Sequence, residues 1–313
     1  MAWAGGAGGT LLRTRNGGAL WEPCAAPKGA ATAEIAGVQA LDANTAIVMT
    51  SGKGARSRLF KTKDGCHTWK EVFANPDATG EFVSIRSVTS DQIFVLGQPV
   101  GGMFSLYTSR DGGDTWFAMD DPGLNSTAGE TAFSPGNGDM ASALVWLYFG
   151  TNAATGPAVF STYANCPSGE SKGACPIAWR RAALGDGAGM KIAAVNGRVS
   201  MTISGVATAH LVAVGGNATT GSAFAAYSSD GGKTWQLAKT PPSGYRTAVA
   251  RAADGAGWIA VGSNGADIST DDGATWAPVP GEQKAENAGW IAFSPPFVVG
   301  QHGRIAVFAA PAQ

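Results

Sequence analysis

Charge is scarce in this sequence. Asp, Glu, Lys and Arg make up 14% of its 313 residues, against about 25% in an ordinary soluble domain. Lys and Arg nowhere form a run, and the formal net charge is −1. The footprint of a nucleic-acid or anionic-membrane partner is therefore missing. No stretch approaches the roughly 18 uncharged apolar residues of a membrane-spanning helix. Only three histidines occur. His67 and His302 read as turn residues and His210 as lying in or beside a strand; none has metal or triad spacing, so surface or packing roles are expected. No Cys-x-x-Cys pair exists, which argues against zinc for the four cysteines. Neither a G-x-G-x-x-G stretch nor a P-loop is present, and no cofactor is expected. A leader is also missing: Met1-Ala2-Trp3-Ala4-Gly5 runs straight into strand-like sequence.

Glycine, by contrast, supplies 45 residues, hydrophobic residues 44%, and tryptophan ten. That profile excludes disorder and suits short strands joined by tight turns, where glycine enters positive φ without strain. Four cysteines without other thiol-site chemistry point to disulfides and an oxidising compartment. The expectation is an extracytoplasmic protein, periplasmic or secreted, whose leader is not part of this sequence.

A repeat organises the chain. Ser109-Arg110-Asp111-Gly112-Gly113-Asp114-Thr115-Trp116 returns as Ser228-Ser229-Asp230-Gly231-Gly232-Lys233-Thr234-Trp235 and as Ser269-Thr270-Asp271-Asp272-Gly273-Ala274-Thr275-Trp276. A copy at Thr62-Lys63-Asp64-Gly65-Cys66-His67-Thr68-Trp69 has cysteine in a glycine position, and a worn copy keeps Asn16, Gly17, Gly18 and Trp21. Residues 161–179 read as a copy opened by a Cys-bounded insertion. From Trp21 through Trp69, Trp116, Trp179 and Trp235 to Trp276 the steps are 48, 47, 63, 56 and 41 residues, the period of a four-stranded propeller blade. In each octet the Asx side chain (Asn16, Asp64, Asp111, Asp230, Asp271) should cap backbone N–H groups of its own turn, a structural role rather than a catalytic or metal-binding one.

The strand before the box recurs seven times, but the Trp-led outer strand and the innermost strand only six times each. The expected fold is all-β, one seven-bladed propeller over residues 1–313, with an outer and an inner strand lost or supplied by an unrecognised segment. Six blades is the alternative.

These octets, with Val261-Gly262-Ser263-Asn264-Gly265 leading into one of them, resemble the BNR/Asp-box superfamily, which includes sialidases and xyloglucanases. Asp42–Met49, Leu59–Cys66 and Gly244–Ala250 are similar to bacterial proteins related to the photosystem II stability and assembly factor, loosely labelled glycosyl hydrolases. The resemblance implies an exported propeller with an assembly or binding role. It also implies Asp at the position of Gln98 and Asp near Val83, neither of which this chain has, and for a sialidase an Arg-Ile-Pro motif, which is absent.

Gly169-Glu170-Ser171-Lys172-Gly173 spells a nucleophile elbow but lies in a Pro/Gly/Ser loop, without the strand and helix the motif needs. Cys166 and Cys175 are expected to close that loop, and Cys24 and Cys66 to join two blades. Ligand-facing candidates at a propeller's central mouth are Arg86, Gln98, Lys191, Tyr245, Arg246 and Trp290. Were there hydrolysis, Glu130 and then Glu81 are the carboxylates to test, since a glycosidase needs two. The reading is a monomeric, non-catalytic module that binds a protein or glycan, with an Asp-box glycoside hydrolase or lyase as the rival.

Overall fold

Short apolar runs punctuated by glycine turns become antiparallel strands. The computed structural model describes residues 1–133, 135–164, 178–185, 190–201, 207–253, 255, 257–280 and 289–308. It gathers twenty-six strands into seven sheets, the blades of a seven-bladed β-propeller. Cys166, Cys175 and the Gly169–Gly173 stretch lie outside the described residues.

The chain divides into two compact units. The first, built on residues 1–126, holds three sheets. These are β1 (Ala2–Gly5), β2 (Leu11–Thr14) and β3 (Glu22–Pro23); then β4 (Ile35–Ala40), β5 (Ala46–Thr50), β6 (Arg58–Thr62) and β7 (Lys70–Ala74); then β8 (Phe82–Ser87), β9 (Ile93–Val100), β10 (Met103–Ser109) and β11 (Phe117–Ala118). The second unit holds four. Its first two are β12 (Met140–Ala143), β13 (Trp146–Ala153), β14 (Gly156–Tyr163) and β15 (Arg180–Ala183), followed by β16 (Lys191–Met201), β17 (Ala207–Asn217), β18 (Ser222–Ser228) and β19 (Gln236–Leu237). Its last two are β20 (Arg246–Arg251), β21 (Trp258–Gly262), β22 (Gly265–Ser269) and β23 (Ala277–Pro278), then β24 (Trp290–Ser294), β25 (Phe297–Gly300) and β26 (Ile305–Val307). Among the described residues the first sheet has no inner strand and the last no outer strand, which accounts for the two missing repeats. No helix among them is long and apolar enough to cross a membrane.

The cores lie between neighbouring sheets. In the first unit Ile47, Met49 and Leu59 pack against Phe82, Ile85, Val95 and Trp116. In the second, Val212, Val214 and Ala225 pack against Val249, Trp258 and Trp276. Removing such side chains from water is the main stabilising term.

Each box locks its hairpin by local hydrogen bonds. Asp111 Oδ1 accepts from the N–H groups of Asp114 and Thr115, both at 2.9 Å, and Oδ2 accepts from Thr115 Oγ1 at 2.6 Å. Ser109 Oγ donates to Asp111 (2.8 Å) and accepts from Gly113 N (2.7 Å). The same clasp recurs at Asp64, Asp230 and Asp271, and in reduced form at Asn16, which accepts from Thr14 Oγ1 and Leu20 N. These donors turn the chain sharply enough for positive φ at the following residues.

The box also seats against the preceding blade. A β-carbon on Gly113 would lie 2.2 Å from Ile47 of β5, on Gly232 3.2 Å from the Tyr148 ring of β13, and on Gly273 2.9 Å from Val212 of β17. Those three residues all belong to the second strand of the sheet before. In the second sheet this glycine slot holds Cys66, at φ 69°, and Cys66 is disulfide-bonded to Cys24 just beyond β3.

Five inner strands share an irregularity. The pairing register shifts near the start of β4, β8, β16, β20 and β24. Each is a β-bulge, which bends the strand. In three of these pairs a glycine faces the bulge because the backbone comes too close for a side chain. A β-carbon on Gly97, Gly215 or Gly262 would meet the carbonyl oxygen of Glu81, Lys191 or Tyr245 at 2.9, 1.9 or 2.3 Å.

Candidate functional site

Within a blade, the box and the start of the inner strand lie at opposite ends. In the third sheet Phe82 pairs with Gly97 at one end, while Ser87 pairs with Ile93 and Ser109 with Ile93 at the other, where the box follows. Within their own sheets, Glu81 and Gln98 (third), Glu130 (fourth), Lys191 (fifth), Tyr245 and Arg246 (sixth) and Trp290 (seventh) thus lie at or near the end away from the box. Arg86 is the exception, towards the box end of β8.

In the second unit these side chains are largely committed to the fold. Glu130 is 3% exposed. Its Oε2 accepts from Thr127 N and Thr127 Oγ1, both at 2.9 Å, and its Oε1 from Thr151 Oγ1 at 2.6 Å and Arg181 Nε at 3.1 Å. Burial pushes this carboxyl up, but the donors from Thr127, Thr151 and Arg181 outweigh it and leave the pKa lowered. A general acid needs the opposite shift. Arg246 is completely buried and forms an ion pair with the equally buried Asp267, Nε lying 2.6 Å from Oδ2. Its remaining donors reach Ser243 Oγ, Asn264 Oδ1 and the Tyr245 carbonyl. Burial lowers its pKa against the pull of Asp267. Glu130 and Arg246 thus belong to two separate clasps with different partners.

Tyr245 is buried with its ring 6.5 Å from that of Phe133, and burial together with the Asp139 charge pushes its hydroxyl up to about 12. Trp290 is buried beneath the Arg304 guanidinium, 4.3 Å from the ring centroid. Lys191 stands exposed at the start of β16. Sequence reading passes over Asp139, just ahead of β12. It is 1% exposed; Oδ2 accepts from Phe133 N at 2.9 Å, and Oδ1 has no hydrogen-bond partner. Burial pushes its carboxyl well above the ordinary range. An acidic residue in a Gly-Asp turn gives no sequence signal for that burial.

In the first unit Glu81 accepts from Ser51 Oγ at 3.2 Å through its side chain and from Gln98 N at 2.8 Å through its carbonyl. Arg86 is half-buried on β8, and burial lowers its pKa. A concave surface lies elsewhere. A cleft of 480 Å³ is lined by Lys61, Lys63, Thr68, Trp69, Lys70, Val72 and Asp114. Asp114 bridges Lys61 and Lys63, each at 2.9 Å. Lys61 is buried, whereas the Lys63 side chain is 65% exposed and Lys70 is exposed as well. The half-buried Trp69 ring is held by its Nε1–H to Ala25 O (2.9 Å) and by an edge contact to Trp3. Three lysines and one carboxylate, the latter paired with Lys61 and Lys63, thus line the cleft beside an aromatic ring, a net positive arrangement that attracts anions. Nothing in the sequence reading singled out these residues, because the lysines belong to β6, the box and β7 and meet Asp114 only through the fold.

Comparison with known proteins gives a coherent picture. The BNR/Asp-box repeat model matches residues 226–237, the box of the fifth sheet. No curated protein matches the chain in sequence. Among solved structures, YCF48 bound to D1 peptide is similar with a TM-score of 0.59 and 17% identity, covering 97% of this chain and 87% of that one. YCF48 from Cyanidioschyzon merolae gives 0.58 and 17%, covering 95% and 87%. The GH74 xyloglucanase from Xanthomonas campestris gives 0.53 and 15%, covering 88% of this chain but 43% of that one. The chain thus spans less than half of the xyloglucanase. At these identities the likeness is one of fold.

Proposed function

We propose that this chain is an extracytoplasmic binding propeller that takes an acidic segment of a partner protein in the Lys61–Lys63–Trp69–Lys70 cleft. The observation that carries the reading is the cleft itself. It combines two exposed ammonium groups with an aromatic face already fixed in place, so little side-chain freedom is lost at the ring when a ligand binds. The state of Glu130 supports binding over glycoside hydrolysis with that residue as the acid: it is saturated by four donors and held ionised. A protein ligand accords with the similar propeller YCF48, whose structure holds a D1 peptide. The Cys24–Cys66 bridge accords with an oxidising compartment.

The test is fluorescence anisotropy with a Glu-rich peptide carrying one aromatic residue. Binding should weaken as salt rises, and Lys63→Glu with Lys70→Glu should weaken it at least about tenfold, the effect of a 1.4 kcal/mol loss. Equal affinity for the charge-reversed protein would refute the assignment.

A further inference from the structure

Departures from a structural repeat mark the places where a blade does more than fold, and two of them meet in the second unit. The first is a length. The inner strands β4, β8, β12, β20 and β24 have four to six residues, whereas β16 and its partner β17 have eleven each. The added length carries Arg198, paired with His210, and Ser200, paired with Thr208. The second is a substitution in the box of the next sheet. Asp272 stands where the other boxes have Gly17, Gly65, Gly112 and Gly231, and it keeps their left-handed backbone, φ 58° against 70°, 68°, 69° and 78°. A β-carbon is disfavoured there, yet the turn accepts one and so brings a carboxylate to the hairpin.

The side chains form a chain of contacts. His210 Nδ1 lies 3.2 Å from Asp272 Oδ2, and His210 Nε2 lies 2.8 Å from Ser200 Oγ. Arg198 Nε donates to Asp272 Oδ1 at 2.8 Å while its Nη2 reaches Oδ2, and Trp258 Nε1 donates to Oδ1 at 3.4 Å. Arg198 Nη2 also lies 3.5 Å from His210 Nδ1. Asp272 is thereby held by Arg198 and Trp258 while its Oδ2 is shared between the guanidinium and the imidazole. An Nδ1–H donated to this carboxylate would leave the Nε2 lone pair facing the Ser200 hydroxyl. His210, expected from its spacing to have a surface or packing role, thus lies between a hydroxyl and a carboxylate from residues 72 apart (Ser200 to Asp272).

We propose that Ser200, His210 and Asp272 form an acyl-transfer site for small carboxylic esters, independent of the basic cleft. Ser200 Oγ adds to the ester carbonyl carbon as its proton passes to His210 Nε2, and the carbonyl π pair moves onto oxygen. Collapse re-forms the C=O bond and expels the alcohol oxygen, which takes the proton from His210. Water repeats the two steps, releasing the acid and restoring Ser200. Ser200 and His210 are the catalytic residues; Asp272 and Arg198 are positioning residues. The side chains of Arg198, His210 and Asp272 are 24%, 19% and 31% exposed, so the site is open to small substrates.

The experiment treats the full chain with a fluorophosphonate and locates the adduct by mass spectrometry, with p-nitrophenyl acetate hydrolysis as the second readout. Ser200 should be modified in preference to every other serine. Asp272→Gly restores the usual glycine of the repeat, so its melting temperature should match or exceed that of the parent while labelling and hydrolysis fall at least about 100-fold. His210→Gln should fall likewise. No preferential adduct at Ser200, or parental labelling in either folded variant, would overturn the proposal.

Discussion

At Asp111 one carboxylate receives three donors from its own turn and a fourth from Ser109. Asp111→Ala should therefore destabilise the protein by about 1 kcal/mol, as loss of a side-chain cap does, measured by urea denaturation. Protonation does similar damage. The Thr68 hydroxyl and N–H hold Asp64 down to about 2; at Asp111 burial works the other way, but Thr115 and Ser109 still bring it to about 2. Asp230 and Asp271 are lowered too. Depressed folded pKa values confer stability that is complete above the unfolded value near 4 and is lost as pH falls through the folded values. The melting temperature should drop between about pH 4 and pH 2; a flat profile there would deny the boxes this role. Asp139 behaves oppositely. Its raised pKa gives stability that is present below the unfolded value and is lost as pH rises towards the folded one. Asp139→Asn should accordingly gain stability relative to the parent as pH goes from 4 to 8, read from urea midpoints at the two pH values.

At the scale of the element, the hairpin lock was legible because all its groups lie within eight consecutive residues. The bulge at the start of the inner strands was not, since it depends on a glycine one strand away. Gly215→Ala would drive a β-carbon to 1.9 Å from the Lys191 carbonyl and Gly262→Ala to 2.3 Å from that of Tyr245. Each should cost about 1–3 kcal/mol, whereas Gly6→Ala, whose nearest neighbour would be 3.7 Å away, should cost far less. Thermal melting of the three variants checks the ordering. The same locality limit explains the candidate residues. Glu130, Tyr245, Arg246 and Trp290 stand out in sequence as unusual near inner strands, but the partners that claim Glu130 and Arg246, Arg181 and Asp267, come from other strands of the blade. Asp272 was visible as a letter in the box, while its meeting with His210 required the fold.

For the molecule as a whole, blade count was readable from the tryptophan period, and the seventh sheet follows from the strand before the box recurring once more than the box itself. The covalent tie in the first unit spans 42 residues. Cys24→Ser with Cys66→Ser should cost about 4 kcal/mol by loop-closure entropy, and Cys24→Ser with Cys66→Gly should cost less, because glycine suits the left-handed turn. Calorimetric melting of both forms distinguishes them.

The seating of boxes on the preceding blade gives assembly a direction. Ile47, Tyr148 and Val212 all precede in the chain the turns that land on them, and a ribosome delivers the amino end first. Each landing surface is consequently made before its turn arrives, so the nascent polypeptide can click shut one sheet at a time. Deleting sheets from the carboxyl end leaves earlier turns with their footing, whereas deleting them from the amino end orphans the next.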